Sequence, residues 1–541
     1  MKGVSHMTLF QAILIALFGY LSSIYSPWLT LGGWYTLGRP LISGFVIGII
    51  LGDIQTGILM GAAVQAIFIG LVTPGGSMPG DANLAAYIGI PLAMVSGLDT
   101  TFAVSLSVLL SFVGVLAVLL VVTVNCLFVH RMDRQIEHGQ LERATRTPVV
   151  GQITNFVVRF FPILLACYFG QTFTTNMANS LPVAVVGIFG MFGTLLPLVG
   201  FSILLCYIVK KKTDILYYIL GFILAEALSL PILPVVAIAS IFAFMDIKYS
   251  PAGAAETEAP VPEEILERKR LLSKKDVRRC YWEWMLWNLS AQNMERMEAP
   301  AIVRMLGKVR EKLYPGDPEK QKQLLARHTP FFNTEPYVGC IVPGIVLGME
   351  EESAIGGELP VEMVTGIKTA MMGPFAGIGD SLYVGTLIPI LLGIALGLSG
   401  ETGSMAGPVF YIVAHLAIMF PVTWLLFSRG YKTGIHSVQQ ILGGGVKDRI
   451  TKALSIVGLV VAGAITATTV DLQTAWVYTS GDMTIDLNTI FNGLFPGLMT
   501  LVFALLTFWL MYKKKVALGW MFLIYFGLAV VGLLTKMFYI G

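Results

Sequence analysis

The chain has 541 residues and a formal net charge of only +3. Charged residues make up 13% of it, where soluble proteins carry about 25%, so a soluble globular protein is excluded. The small net charge, with the basic residues gathered in short runs, also argues against a nucleic-acid partner.

Apolar segments alternate with basic clusters, and runs such as Phe102–Val124 far exceed the length of a barrel strand. In lipid only helices and closed barrels satisfy the backbone, so the expected fold is an all-α polytopic membrane protein. Near the start, Ser5–Tyr25 is apolar and no convincing small-residue cleavage site follows it, so no cleavable signal peptide is expected. Gly38–Gln65 carries Asp53 and Gln65 in a Gly-rich apolar run, and Pro79–Pro91 carries Asp81 and Asn83. The basic clusters His130–Arg146 and Lys210–Lys212 are expected in the cytoplasm.

Between Lys212 and Lys248 the chain must enter and return, and "LSLPILP" (Leu228–Pro234) breaks it midway, which predicts a tight or re-entrant hairpin. Residues 248–270 are rich in Pro, Ala and charge and read as a cytosolic linker. The polar stretch that follows opens with Ser273 and Asp276, a capping-box spacing. Its Trp282, Trp284 and Trp287 predict either a helix at headgroup level or packing on the protein itself. Pro330–Glu352, with three prolines between polar segments, predicts a second broken hairpin. The clusters at Arg429–Lys432, Lys447–Arg449 and Lys513–Lys515 are again cytoplasmic. Asp471–Thr489, without Lys or Arg, is placed outside, as is the C-terminus after the last span.

The chain thus divides into membrane domains at 1–247 and 271–541, the second opening with cytosolic or interfacial helices over 271–328. The five cysteines show no metal-ligand spacing and read as apolar packing residues, so no metal or cofactor is expected. The six histidines read as solvated or structural, with His328 beside "FFNTEP" the one to examine. Polar side chains at lipid depth mark transport sites when they collect. Here they are Gln65, Asp81, Asn83, Asn333, Glu335 and Asp380. Carboxylates and amides in that number suit the paired hydroxyls of a neutral sugar. Each also has a structural reading: Asp81 and Asp380 as caps, Gln65 as interhelical glue, Asn333 and Glu335 as a turn. Gly-Asp recurs at 80–81 and 379–380, each followed by Tyr and Pro, a short hint of an internal repeat with each Asp at the start of a half-helix.

Four stretches, "WNLSAQNMERM" (287–297), "RHTPFFNTEPY" (327–337), "GIKTAMMGPFAGIGDSLYVGTLIP" (366–389) and "GYKTGIHSVQQILGGG" (430–445), resemble the IID subunit of the mannose/fructose/sorbose family of phosphoenolpyruvate-dependent sugar phosphotransferase systems. "GRPLISGFVIGIILGDIQTGILMGAAVQ" (38–65) and "PGDANLAAYI" (79–88) resemble its IIC subunit. The resemblance implies a fused IIC–IID permease in a bacterial cytoplasmic membrane, assembled as a homotrimer. It implies a hexose-type sugar moved inward by a part sliding against a scaffold and phosphorylated by a separate phospho-histidine IIAB protein. It carries Gln65, Asp81, Asn333, Glu335 and Asp380 over as sugar ligands, with Asn83 added from position alone. The alternative is an ion-coupled sugar carrier using Asp81 or Asp380 as its proton site. An intramembrane enzyme is disfavoured, because no activated nucleophile or His–acid metal pair shows at membrane depth.

Overall fold

A computed structural model describes residues 7–27, 32–70, 80–98, 100–180, 183–249, 270–355, 361–433, 446–474, 476–480, 483–535 and 539–540. The linker expected at 248–270, apart from its ends, and most of the 430–445 motif lie outside the described residues.

The first half comprises α1 (Leu9–Leu21), α2 (Pro40–Leu51), α3 (Ile54–Phe68), α4 (Ala82–Ser96), α5 (Thr100–Glu137), α6 (Gln152–Ser180), α7 (Val183–Ile208), α8 (Ile215–Glu226) and α9 (Ile232–Tyr249). The second begins with α10 (Lys274–Trp287), α11 (Ala299–Gly307) and α12 (Pro318–Ala326). It continues with α13 (Ile341–Ala354), α14 (Val361–Gly379), a π-helical segment at Asp380–Leu387, α15 (Ile388–Ser399), α16 (Ala406–Thr433) and α17 (Val446–Thr469). A short β-hairpin pairs Val477–Ser480 with Met483–Asp486, ahead of α18 (Leu487–Leu494), α19 (Leu498–Tyr512) and α20 (Leu518–Thr535).

Among the described residues four stretches are long and apolar enough to span a bilayer: 100–137, 147–170, 364–399 and 406–432. The pair α18–α19, bent by 77°, forms a fifth, broken one. Helices α1, α2, α3 and α4, of 13, 12, 15 and 15 residues, are too short to cross alone. Broken helices survive at membrane depth only where protein surrounds them. Here they do so through glycine seams. Gly44 on α2 faces Gly57 and Gly61 on α3 so closely that a Cβ on Gly44 would collide with backbone. In lipid, where apolar side chains gain nothing by leaving the solvent, such close approach is what holds helices together.

The two halves interleave. First-half α8 and α9 pack along second-half α17, and first-half α7 packs against α17, α19 and α20. Gly221 and Gly463 let the α8 and α17 backbones touch.

Local expectations fare unevenly. Ser273 and Asp276 form the capping box: the Asp276 amide donates to the Ser273 hydroxyl at 3.3 Å and the Ser273 amide to the Asp276 carboxylate at 2.9 Å. Asp53 caps α3 at the surface, accepting the Thr56 amide at 3.1 Å. A break at 227–231, with Ser229 at φ 50°, separates α8 from α9. Pro330–Glu352, by contrast, is an irregular stretch followed by one helix, α13, rather than a hairpin. Trp284 is fully buried and its indole donates to the Pro336 carbonyl at 3.3 Å; Trp287 lies under the Arg304 guanidinium at 4.7 Å. Trp282 and Trp287 stay half-buried, and Trp282 lies against a membrane helix, 5.8 Å from Phe420.

Glu350 and Glu351 are fully buried. Glu350 takes Arg327 and His328, each at 2.7 Å. Glu351 takes Arg270 at 3.1 Å, the Leu272 amide at 2.6 Å and the Tyr431 hydroxyl at 2.7 Å. Burying a carboxylate requires that all its lone pairs be satisfied. These two therefore fasten the ends of the α10–α12 segment to α13 and α16. His328 has a structural role in that clamp.

Candidate functional site

In the first half, Asp81 is the N-cap of α4 and accepts the Asn83 and Leu84 amides at 3.1 and 3.0 Å. Its other oxygen is ion-paired with Arg159 of α6, and neither side chain is exposed. Sequence reasoning missed Arg159, although a lone Arg within "NFVVRFFP" was the available signal. Asn83 is buried and donates to the Ser22 hydroxyl at 2.5 Å, while its carbonyl oxygen has no partner. Gln65 on α3 is wholly buried with neither amide atom bonded. A buried unpaired amide costs roughly 1–3 kcal/mol, a cost that Gln65 carries in this structure.

In the second half, Glu335 is 3% exposed and turns back to accept the Tyr337 and Val338 amides, the latter at 2.7 Å. It lies directly against Gly379, where a Cβ would strike its carboxylate. Asp380 follows, half-buried, as the first residue of the π segment. Gly379 is in right-handed helical conformation and α14 runs straight into that segment. Asp380 thus begins no half-helix, and its geometry differs from that of Asp81. A third carboxylate, Glu298, is 1% exposed, accepts the Thr334 amide at 3.2 Å and leaves one oxygen unbonded. It is close enough to Glu335 and Asp380 to feel their charge. Asn333 sits half-buried next to Thr334 in the same stretch.

The first half reaches this acidic cluster through a π turn at Gly33–Leu37. Tyr35 packs edge-on to Tyr337 (5.2 Å) and Tyr383 (6.0 Å), which stack on each other at 4.1 Å. The Tyr411 hydroxyl donates to the Tyr35 carbonyl at 2.6 Å, and Tyr383 bonds His415 at 2.7 Å. The Arg39 guanidinium, 2% exposed, lies 5.1 Å from the Tyr35 ring. Tyr35 therefore has Arg39 on one side and Glu335 with Asp380 within electrostatic reach on the other. Arg39, Tyr35 and Glu298 were not anticipated. An Arg in an apolar Gly/Pro-rich run, and an acid in "MERMEAP", were the signals present.

The structure thus brings Glu335 and Asp380 together, and separately Asp81 and Asn83. Asp81 is tied to its own half by Arg159. Rings flanked by carboxylates and a guanidinium offer apolar faces for C–H groups and acceptors for hydroxyls. A cavity of about 540 Å³ also lies between the halves, lined by Leu59 and Ala62 of α3, Pro231, Glu401, and Ala464 and Thr468 of α17. Its size is that of small-molecule sites, about 300–1,000 Å³. Gln65 lies one helical turn beyond Ala62. Gln55 donates to the Thr402 carbonyl at 2.8 Å, near one end of this cavity.

Residues 271–538 match the family model described as the mannose/fructose/sorbose family IID component of the PTS, and residues 9–245 the model for the sorbose-specific IIC component. The chain is 30% identical over 270 residues to the mannose-specific EIID component of Escherichia coli K12, covering 49% of this chain and 94% of that protein. It is 33% identical over 248 residues to the sorbose-specific EIID component of Klebsiella pneumoniae (44% and 88% covered). Against the mannose-specific EIIC component of E. coli K12 it is 25% identical over 223 residues (41% and 84%).

Proposed function

Since this chain belongs to the mannose/fructose/sorbose family of the phosphotransferase system (PTS), with a IIC-type and a IID-type component in tandem, we propose that it carries a hexose-type sugar through a site built by both components and releases it to a phospho-histidine IIAB partner. The chain is a multi-pass protein of the bacterial inner membrane. The observation that carries the site is the junction at which Tyr35 and Arg39 of the first half meet Tyr337, Tyr383, Glu335 and Asp380 of the second. A sugar ring stacks on the tyrosines there and its hydroxyls donate to the carboxylates. Asp81 with Arg159 and Asn83 sets the first-half wall, Asn333 borders the acidic cluster, and Gln65 supplies the amide at the far end of the cavity.

Delivery inward follows from relative movement of the two sets of helices, with the glycine-seamed pairs as rigid bodies. The division at 1–247, 248–270 and 271–541 and assembly as a homotrimer belong to the same reading, with the linker on the cytoplasmic side. Proteoliposomes holding only this chain are expected to show no proton-driven sugar accumulation. Adding the phosphorylated partner is expected to yield sugar phosphate inside. Accumulation of free sugar driven by a proton gradient alone would overturn the reading in favour of an ion-coupled carrier. Hydrogen bonds to charged groups contribute about 1.5–3 kcal/mol, so Asp380→Asn is expected to cut sugar binding by about 10- to 100-fold while assembly persists. Unchanged binding in a folded variant would remove Asp380 from the site.

A further inference from the structure

Helix α10 carries Lys274, Lys275, Arg278 and Arg279, all exposed, and none of the four makes an ion pair among the described residues. The acids of α10 are committed elsewhere: Asp276 to Lys312 at 2.7 Å and Glu283 to Arg304 at 2.7 Å. Among the described residues the helix therefore presents positive charge along one side that no acid pairs.

Its position relative to the membrane follows from its partner. α10 runs antiparallel to the end of α16. Arg270 donates to the Lys432 carbonyl at 3.1 Å, the Tyr281 hydroxyl bonds Thr423 at 2.8 Å, and Trp282 lies against Phe420. α16 is one of the spanning stretches and keeps Val409, Val413, Val422, Trp424 and Leu425 exposed. About 20 residues of helix cross the hydrocarbon, which from Ala406 ends near Trp424, where an aromatic belt belongs. Trp282 is then at the boundary. The four cations lie one to two turns back along α10, at the level of the headgroups.

We propose that the junction of α10 and α16 binds an anionic phospholipid, its phosphate held by Lys275, Arg278 and Arg279 and an acyl chain lying along Trp282, Trp424 and Leu425. The apolar wall continuous with the cations is what selects lipid over a phosphorylated protein, which would have no use for exposed Val422 and Leu425. Each cation at an anionic leaflet is worth about a fivefold preference. The site fixes the cytosolic helices to the inner leaflet, and so holds the Glu350–Glu351 clamp at constant height.

The test uses the full chain in nanodiscs of phosphatidylcholine with a minor share of brominated phosphatidylglycerol or brominated phosphatidylcholine. Tryptophan emission is read for the protein and for Trp282→Phe. Brominated phosphatidylglycerol is expected to quench at a concentration at least about fivefold lower than brominated phosphatidylcholine. That difference should shrink in Trp282→Phe, vanish in Trp282→Phe/Trp424→Phe and in Lys275→Gln/Arg278→Gln/Arg279→Gln, and persist in the charge-keeping Arg278→Lys/Arg279→Lys. Equal quenching by the two lipids, or selectivity surviving the triple substitution, overturns the proposal. So does a triple variant that keeps its lipid selectivity but loses sugar phosphorylation by the partner, which would make the patch a protein-docking surface.

Discussion

Asp81 and Arg159, both without exposure, form an ion pair inside the first half. Removing one member of such a pair costs about 3–5 kcal/mol, because the other charge stays buried without compensation. Asp81→Asn is therefore expected to lower the melting temperature in detergent markedly, and Asp81→Leu/Arg159→Met to recover most of the loss. A single variant that melts like the parent would show that the pair does not support the fold. At the start of α10, burial alone would push the Asp276 carboxyl up. The Lys312 ammonium with the Ser273 hydroxyl and amide more than offset this and hold it below the usual aspartate range. A depressed carboxyl contributes stability that is present above its unfolded value of about 3.9 and lost as pH falls through the lower folded value. Acid unfolding followed by α10 tryptophan fluorescence should shift less between pH 5 and pH 2 in Asp276→Asn than in the parent. Identical acid profiles would remove Lys312 and Ser273 as the cause.

At the scale of elements, the short helices depend on how closely their backbones approach. Gly57 of α3 meets Gly44 and Gly48 of α2 at distances that leave no room for a methyl group. Overpacking a tight contact costs about 1–3 kcal/mol or more. Gly57→Val is expected to lower thermal stability by at least that much, whereas Gly52→Asn, at a left-handed φ of 82° with open space around it, should be close to neutral. Equal effects at the two positions would mean that the α2–α3 seam is not tightly packed. The π segment at Asp380 is a second element-scale feature. It continues α14 without a cap and so turns Asp380 towards Glu335 within a helix, a geometry that the Gly-Asp likeness to residues 80–81 does not reveal.

For the whole molecule, interleaving decides behaviour. α7, α8 and α9 bury their faces against α17, α19 and α20, so neither half has a closed core. Residues 1–249 expressed alone are expected to be degraded or aggregated, and to be rescued by co-expressing residues 270–541. A stable, monodisperse first half would contradict this. Composition and charge order made membrane helices and the capping box at Ser273 legible, because they depend on local propensity and on what lipid tolerates. The residues at the junction of the two halves were half legible. Glu335 and Asp380 stood out as acids in apolar sequence, whereas Arg39 and Glu298 carried only the weaker signals of an Arg in an apolar Gly/Pro-rich run and an acid in "MERMEAP", and Tyr35 carried none. The sequence by itself determined which segments are apolar, where the polar groups lie along the chain and which family motifs they belong to. Only the tertiary structure decided that Asp81 answers Arg159, that Glu350 and Glu351 clamp the α10–α12 segment, and that one half completes the other. A buried charge finds its partner across space, and glycine seams set helix neighbours by backbone fit rather than by any periodicity written along the chain.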